Sequence, residues 1–171
     1  MTLIVCPLSK VEAVIAERAP SHLITLLDPA FLIDTPAGLE PSRHLRLGVN
    51  NIVEATEGRI VPDEALVTRI VAFGRDWDAR RPMLIHCWAG ISRSTATAFV
   101  LACERNPQTA EAEIAAAMRT ASLHAYPNRR IVALADDLLG RGGRMVDAVE
   151  AMGPAPMVDE NRPFELKALW R

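Results

Sequence analysis

Two rhythms of apolar and polar residues alternate along this chain. Short apolar runs at Leu3–Cys6, His22–Leu27 and Met83–His86 are bounded by proline or polar residues. Runs of this length predict strands buried on both faces. His44–Val49 alternates enough to make a further strand. Between them the spacing becomes helical. Ser9 stands as an N-cap for a helix carrying Val11, Val14, Ile15 and Ala16, which breaks at Pro20. Pro62-Asp63 opens another, with Leu66, Ile70 and Phe73 on one face. Further helices are expected over Thr95–Ala102, Thr109–Arg119, Pro127–Leu139 and Arg144–Met152, with Gly140, Gly142 and Gly143 marking the last junction. Asn50–Val61 and the proline-rich stretch from Pro29 to Pro41 read as loops.

Strands alternating with helices predict an α/β fold. No internal repeat or low-complexity linker divides the chain. Residues 1–152 are therefore expected to form one domain, and residues 153–171, with Pro154, Pro156 and Pro163, an extended arm over its surface.

Composition narrows the function classes. A chain of 171 residues with 50% hydrophobic content can bury a core without staples. Its net charge is −2 and its basic residues are scattered, so neither a nucleic-acid surface nor a polybasic membrane surface is expected. The segment Met1–Pro7 reads as a first strand, since it lacks the basic start and long apolar core of a signal peptide. No apolar run approaches the roughly 20 residues that span a bilayer. Three cysteines do not suggest a disulfide framework and suit a reducing cytosol. The four histidines, His22, His44, His86 and His124, show no metal-ligand spacing.

The chemistry concentrates in His86-Cys87-Trp88-Ala89-Gly90-Ile91-Ser92-Arg93-Ser94, which lies between the Met83–His86 strand and the Thr95–Ala102 helix. A strand, a tight loop and a helix make an anion cradle: loop N–H groups converge, and the helix N-terminus adds partial positive charge. Cys87 stands at one end of the loop. Arg93, at the other, carries a planar guanidinium able to hold two phosphate oxygens. Thiols at helix N-termini ionise with pKa values of roughly 3.5–7.5, against about 8.5 for a free cysteine.

This segment resembles the signature of the cysteine-based protein tyrosine phosphatase superfamily, His-Cys-x-x-Gly-x-x-Arg followed by Ser or Thr. It matches at His86, Cys87, Gly90, Arg93 and Ser94. The resemblance implies a small, mostly parallel central sheet flanked by helices, with the signature loop between a central strand and a helix. The order of elements from Leu3 to about Leu139 agrees with this. The length makes the chain similar to the compact dual-specificity-like and bacterial members. The implied activity is hydrolysis of a phosphorylated protein or a small phosphomonoester, without a cofactor, and phosphate- or sulfate-type anions would also sit in the loop. Cys87 would attack phosphorus as a thiolate, forming a phosphocysteine that water hydrolyses. Arg93 would bind the equatorial oxygens. The backbone amides of Trp88, Ala89, Gly90, Ile91, Ser92 and Arg93 would supply the remaining donors. Ser94 would donate to the departing thiolate, and His86 would sit behind the loop and help fix the cysteine. Trp88 would pack beneath the loop or shape the pocket wall. Cys6 and Cys103 read as core residues.

One part of the pattern is missing. The family protonates the leaving oxygen with an Asp that follows a strand upstream of the cysteine, and here Asn51 occupies that place. An amide cannot give up a proton, and losing general acid catalysis lowers rates by about 10²–10⁴-fold. Glu54 is the preferred substitute, with Glu57 and Asp63 nearby; Asp63 also reads as a helix cap. Asp28 and Asp34 lie in another loop able to reach the cleft. The departure keeps open a phospho-ligand binding pseudophosphatase with weakened catalysis as an alternative. A rhodanese-like sulfur carrier also places a cysteine after a strand, but Gly90, Arg93 and Ser94 do not favour it. The loop interior carries no lysine, which favours a singly phosphorylated substrate.

Overall fold

The structure, a computed structural model, describes residues 1–170. Five strands form one sheet: β1 (Thr2–Pro7), β2 (His22–Leu27), β3 (His44–Gly48), β4 (Met83–Cys87) and β5 (Phe164–Lys167). Their order across the sheet is β3-β2-β4-β1-β5. The first four run parallel; β5 pairs antiparallel with β1, Leu3 facing Leu166. The helices are α1 (Val11–Arg18), α2 (Glu64–Asp76), α3 (Arg93–Arg105), α4 (Glu111–Ala121), α5 (Arg129–Leu138) and α6 (Arg144–Ala151). This is the α/β fold expected, with the strand bounds met to within about a residue.

The unbroken apolar runs have a direct cause. Parallel strands joined by helical crossovers are covered on both faces, so alternate side chains are all withdrawn from water. Leu3 and Val5 of β1 and Ile24 and Leu26 of β2 point into the larger core, built with α2 to α6. Ile4, Cys6, Leu23 and Leu84 point the other way, under Val11 and Val14 of α1. Each such side chain fully removed from water stabilises the fold by roughly 1.5–3 kcal/mol. All five residues of β4 are buried, as befits the middle strand.

Three local expectations change. Lys10, not Ser9, occupies the N-cap position of α1 and makes no side-chain cap; Ser9 lies in a 3-10 turn, and its hydroxyl donates to Glu160 at 2.8 Å. Asn128 caps α5 through its side chain, so that helix begins two residues after Pro127. The segment read as a surface arm lies on the surface only in part. Phe164–Lys167 adds the fifth strand, and Phe164, Leu166 and Ala168 join the core; Arg171 lies outside the described residues.

Parallel strands deliver function at their C-terminal ends, where loops gather over the sheet edge. Here β1 ends at Pro7, β2 leads into Asp28, β3 into Val49-Asn50-Asn51, and β4 ends at Cys87. The topology alone therefore brings these positions together. No helix among the described residues is long and apolar enough to cross a membrane.

Candidate active site

The loop from Cys87 to Arg93 turns inside out relative to an ordinary turn. Its carbonyls face away and are each bound by a donor from another segment. Trp88 O accepts from Leu8 N at 3.1 Å and Ala89 O from Asn161 N at 2.8 Å. Gly90 O accepts from Asn161 Nδ2 at 3.1 Å. Ile91 O accepts from Tyr126 N at 2.8 Å, and Ser92 O from Asn128 N at 3.1 Å. With five successive carbonyls held outward, the loop N–H groups are left to face the pocket, the arrangement that binds an anion. Gly90 makes the turn possible twice over. Its φ is +69°, and a Cβ there would lie 2.7 Å from Pro7 N. Only glycine meets both demands.

Cys87 Sγ sits 3.1 Å from Ser94 Oγ, both buried. Burial alone would push the thiol pKa up. The Ser94 hydroxyl, the Arg93 guanidinium and the backbone N–H groups of Ser94 and Ser92 outweigh it and bring the pKa below the ordinary value. Cys6 and Cys103 behave oppositely. Burial pushes both up to about 12, so neither competes as a nucleophile.

Arg93 is the first residue of α3 and is buried. Its Nη1 donates to Asp28 Oδ1 at 2.8 Å and to Val49 O at 2.6 Å. These contacts fix the guanidinium by one corner. Its Nε is buried and has no hydrogen-bond partner among the described residues. A buried donor left unpaired costs about 1–3 kcal/mol, so the Nε–Nη2 edge is the fork an oxyanion would satisfy.

Behind the loop runs a chain of neutral groups. His86 Nε2 lies 2.7 Å from Thr25 Oγ1, which lies 2.8 Å from His44 Nε2; His44 Nδ1 reaches Thr35 Oγ1 at 3.0 Å. Burial holds both imidazoles uncharged, lowering His86 and His44 to about 4. His86 Nδ1 also lies 3.4 Å from Cys87 O. It supports the loop from behind and has no path to the pocket.

Cys87 and Arg93 open into a cavity of about 560 Å³ whose facing wall includes Asp28, Asn51, Arg59 and Asp159. Trp88 lines its rim, 55% exposed and packed edge-on against Phe31 at 5.4 Å between ring centroids. It shapes the wall and does not pack beneath the loop. Asn51 Oδ1 accepts from Asn128 Nδ2 at 3.0 Å, which ties the β3 loop to the start of α5. Glu54 lines the adjoining cavity, alongside Asn51 and Tyr126, and not the one that holds Cys87. Asp63 caps α2, accepting from Leu66 N at 2.8 Å. Asp34 pairs with Arg46 at 3.5 Å outside the cleft. Asn161 and Asp159 carry no local signal; only tertiary structure brings them to the loop. Asn128 directly follows Pro127, a cap signal visible in the sequence.

No family model matches this chain, and no curated protein matches it by sequence. Solved structures match its fold. PTPMT1 aligns with a TM-score of 0.61 at 18% identity, over 87% of this chain and 94% of its own. The human tyrosine phosphatase-like serine/threonine/tyrosine-interacting protein aligns at 0.61 and 18%, over 81% and 91%. The PTP-2 phosphatase of Cydia pomonella aligns at 0.56 and 13%, over 96% and 94%. The chain has the fold of the cysteine-based protein tyrosine phosphatases, as the signature segment implied.

Proposed function

We propose that this protein is a phosphomonoester hydrolase of the tyrosine or dual-specificity phosphatase kind, working through a phosphocysteine on Cys87. One observation carries the reading. An acidified, buried thiol and a guanidinium with an unpaired Nε open onto the same cavity, beneath a loop whose carbonyls are all held outward.

The chemistry follows from that placement. A phosphate group enters with its equatorial oxygens on the loop N–H groups and on the Nε–Nη2 edge of Arg93. The Cys87 thiolate attacks phosphorus, forming the S–P bond as the P–O bond to the ester oxygen breaks. Water then attacks the phosphocysteine, releasing inorganic phosphate and returning the thiolate, to which Ser94 Oγ donates a hydrogen bond. Asp28 positions Arg93 throughout. The absence of lysine from the loop and the Trp88–Phe31 pair at the rim favour one phosphate carried on an aromatic or apolar body, phosphotyrosine or a small phosphoester. One structural neighbour, PTPMT1, has been solved in complex with PI(5)P, in keeping with phosphomonoesters as the substrate class.

Cys87→Ser tests the reading. It should abolish turnover of para-nitrophenyl phosphate, because a serine hydroxyl lacks the thiolate's nucleophilicity at neutral pH. Tungstate should still raise the melting temperature of that variant. Turnover close to the parent's would overturn the phosphocysteine mechanism.

A further inference from the structure

Asn51 has no proton to give, and two carboxylates line the same cavity. Besides Asp28, the carboxylate lining the Cys87 cavity is Asp159, on the chain segment between α6 and β5. Asp28 is already engaged: its Oδ1 binds Arg93 at 2.8 Å and its Oδ2 lies 3.9 Å from Arg59. It serves to hold Arg93, and moving its proton in and out would release the phosphate grip. Asp159 has no ion-pair or hydrogen-bond partner among the described residues.

The segment that bears Asp159 is fastened at both ends. On one side His124 Nδ1–H donates to Pro156 O at 3.0 Å. On the other, Asn161 is 4% exposed and grips the loop itself, through N to Ala89 O at 2.8 Å and Nδ2 to Gly90 O at 3.1 Å. Its Nδ2 also lies 2.9 Å from Ser122 Oγ. Glu160, between Asp159 and Asn161, accepts from Ser9 at 2.8 Å. Pro154 and Pro156 stiffen the chain that leads into the first of these tethers. A carboxylate two residues from a clamp on the phosphate loop is thereby kept over the pocket and not left on a loose tail.

Resting on the phosphatase reading above, we propose that Asp159 is the general acid of this enzyme, supplied by the C-terminal segment in place of the β3 loop. In the first step the Asp159 carboxylic acid gives its proton to the ester oxygen as the P–O bond breaks and the S–P bond forms. In the second, the Asp159 carboxylate takes a proton from the water that attacks phosphorus, the S–P bond breaks, and the thiolate and the protonated Asp159 are restored.

Asp159→Asn in the full-length protein reads this directly. Turnover of phosphotyrosine should fall by about 10²-fold or more, with a smaller fall for para-nitrophenyl phosphate, whose leaving group departs with little help. The alkaline limb of the pH–rate profile should disappear, while stabilisation by tungstate persists. Adding Asn51→Asp to that variant puts a carboxylate back into the same cavity and should recover about tenfold or more of the phosphotyrosine rate. Retention of the parent's leaving-group dependence and pH profile in Asp159→Asn overturns the assignment and leaves the Cys87 chemistry standing. So does an equal loss on both substrates with no recovery from Asn51→Asp. A parent without Cys87-dependent turnover overturns both.

Discussion

The two walls of the pocket are built on opposite principles. The wall of residues 87–93 is one contiguous stretch whose five outward carbonyls are tied to four residues from three other parts of the chain. The facing wall is assembled from residues far apart in sequence, Asp28, Asn51, Arg59 and Asp159, on loops exposed to solvent. Under the proposed phosphatase reading, the difference follows from what each wall must do. Holding a dianion needs several N–H dipoles fixed in advance, because donors that must reorganise during the reaction lose much of their value. That demand fixes residue types and spacing within one loop. Donating a proton needs a single carboxyl group within reach, and any segment that passes over the pocket can bring it.

The largest effect should come from damaging the first wall. Arg93→Lys keeps the charge but loses both the planar fork and the pair of contacts to Asp28 and Val49. We expect kcat/KM for para-nitrophenyl phosphate to drop by about 10²–10³-fold, the scale seen when a transition-state donor is removed. The affinity for phosphate as a competitive inhibitor should weaken with it. A lysine variant with near-parent kinetics would mean that the loop amides alone carry the grip and that the Arg93 corner is only structural.

The same contrast governs what could be read from the residues. The strands were readable because burial on both faces forces unbroken apolar runs, and β2 falls at His22–Leu27 as the pattern predicts. The loop was readable because its chemistry is local. The strand β5 was not, because Phe164 and Leu166 alternate over only four residues beside Pro163, and their partner β1 lies at the other end of the chain. Asn161 is invisible for a similar reason. Its value lies in long-range contacts, to Ser122 and to the backbone of Ala89 and Gly90, 71 residues away in the case of Gly90. The β3 loop misled in a different way: its position relative to the cysteine suggested an acid nearby, yet Glu54 turns to the neighbouring cavity.

A smaller and slower effect should appear beneath the first wall as pH falls. His44 and His86 are held neutral by burial with pKa values of about 4, below the ordinary value of 6.5. Between pH 6.5 and 4 the unfolded chain binds a proton at each ring that the folded chain refuses. Stability is therefore fully present above about pH 6.5 and is lost as pH falls toward 4, by on the order of 2–3 kcal/mol for each histidine. Urea unfolding midpoints at pH 7, 5.5 and 4.5 measure this. His44→Gln should be less stable than the parent at pH 7 but show a shallower decline, which separates the histidine from the carboxylates that titrate in the same range. Parallel declines in the two proteins would mean that the Thr25 chain does not hold its rings neutral.

The smallest effect tests the facing wall where the sequence pointed most directly. Glu54 is exposed, lines the cavity beside Tyr126 and Asn128, and shares with the Cys87 pocket only the residues between them. A proton donor must lie within hydrogen-bond reach of the departing oxygen, directly or through one water. In the proposed mechanism the oxygen leaves opposite the attacking sulfur, into the cavity that Asp159 lines and Glu54 does not. Glu54→Gln should therefore lower phosphotyrosine turnover by less than about threefold, far short of the 10²–10⁴-fold that removal of a general acid brings. A loss of that larger size, steeper for phosphotyrosine than for para-nitrophenyl phosphate, would move the acid back to the β3 loop. The facing wall would then be a single segment after all, with its carboxylate displaced by three residues from Asn51.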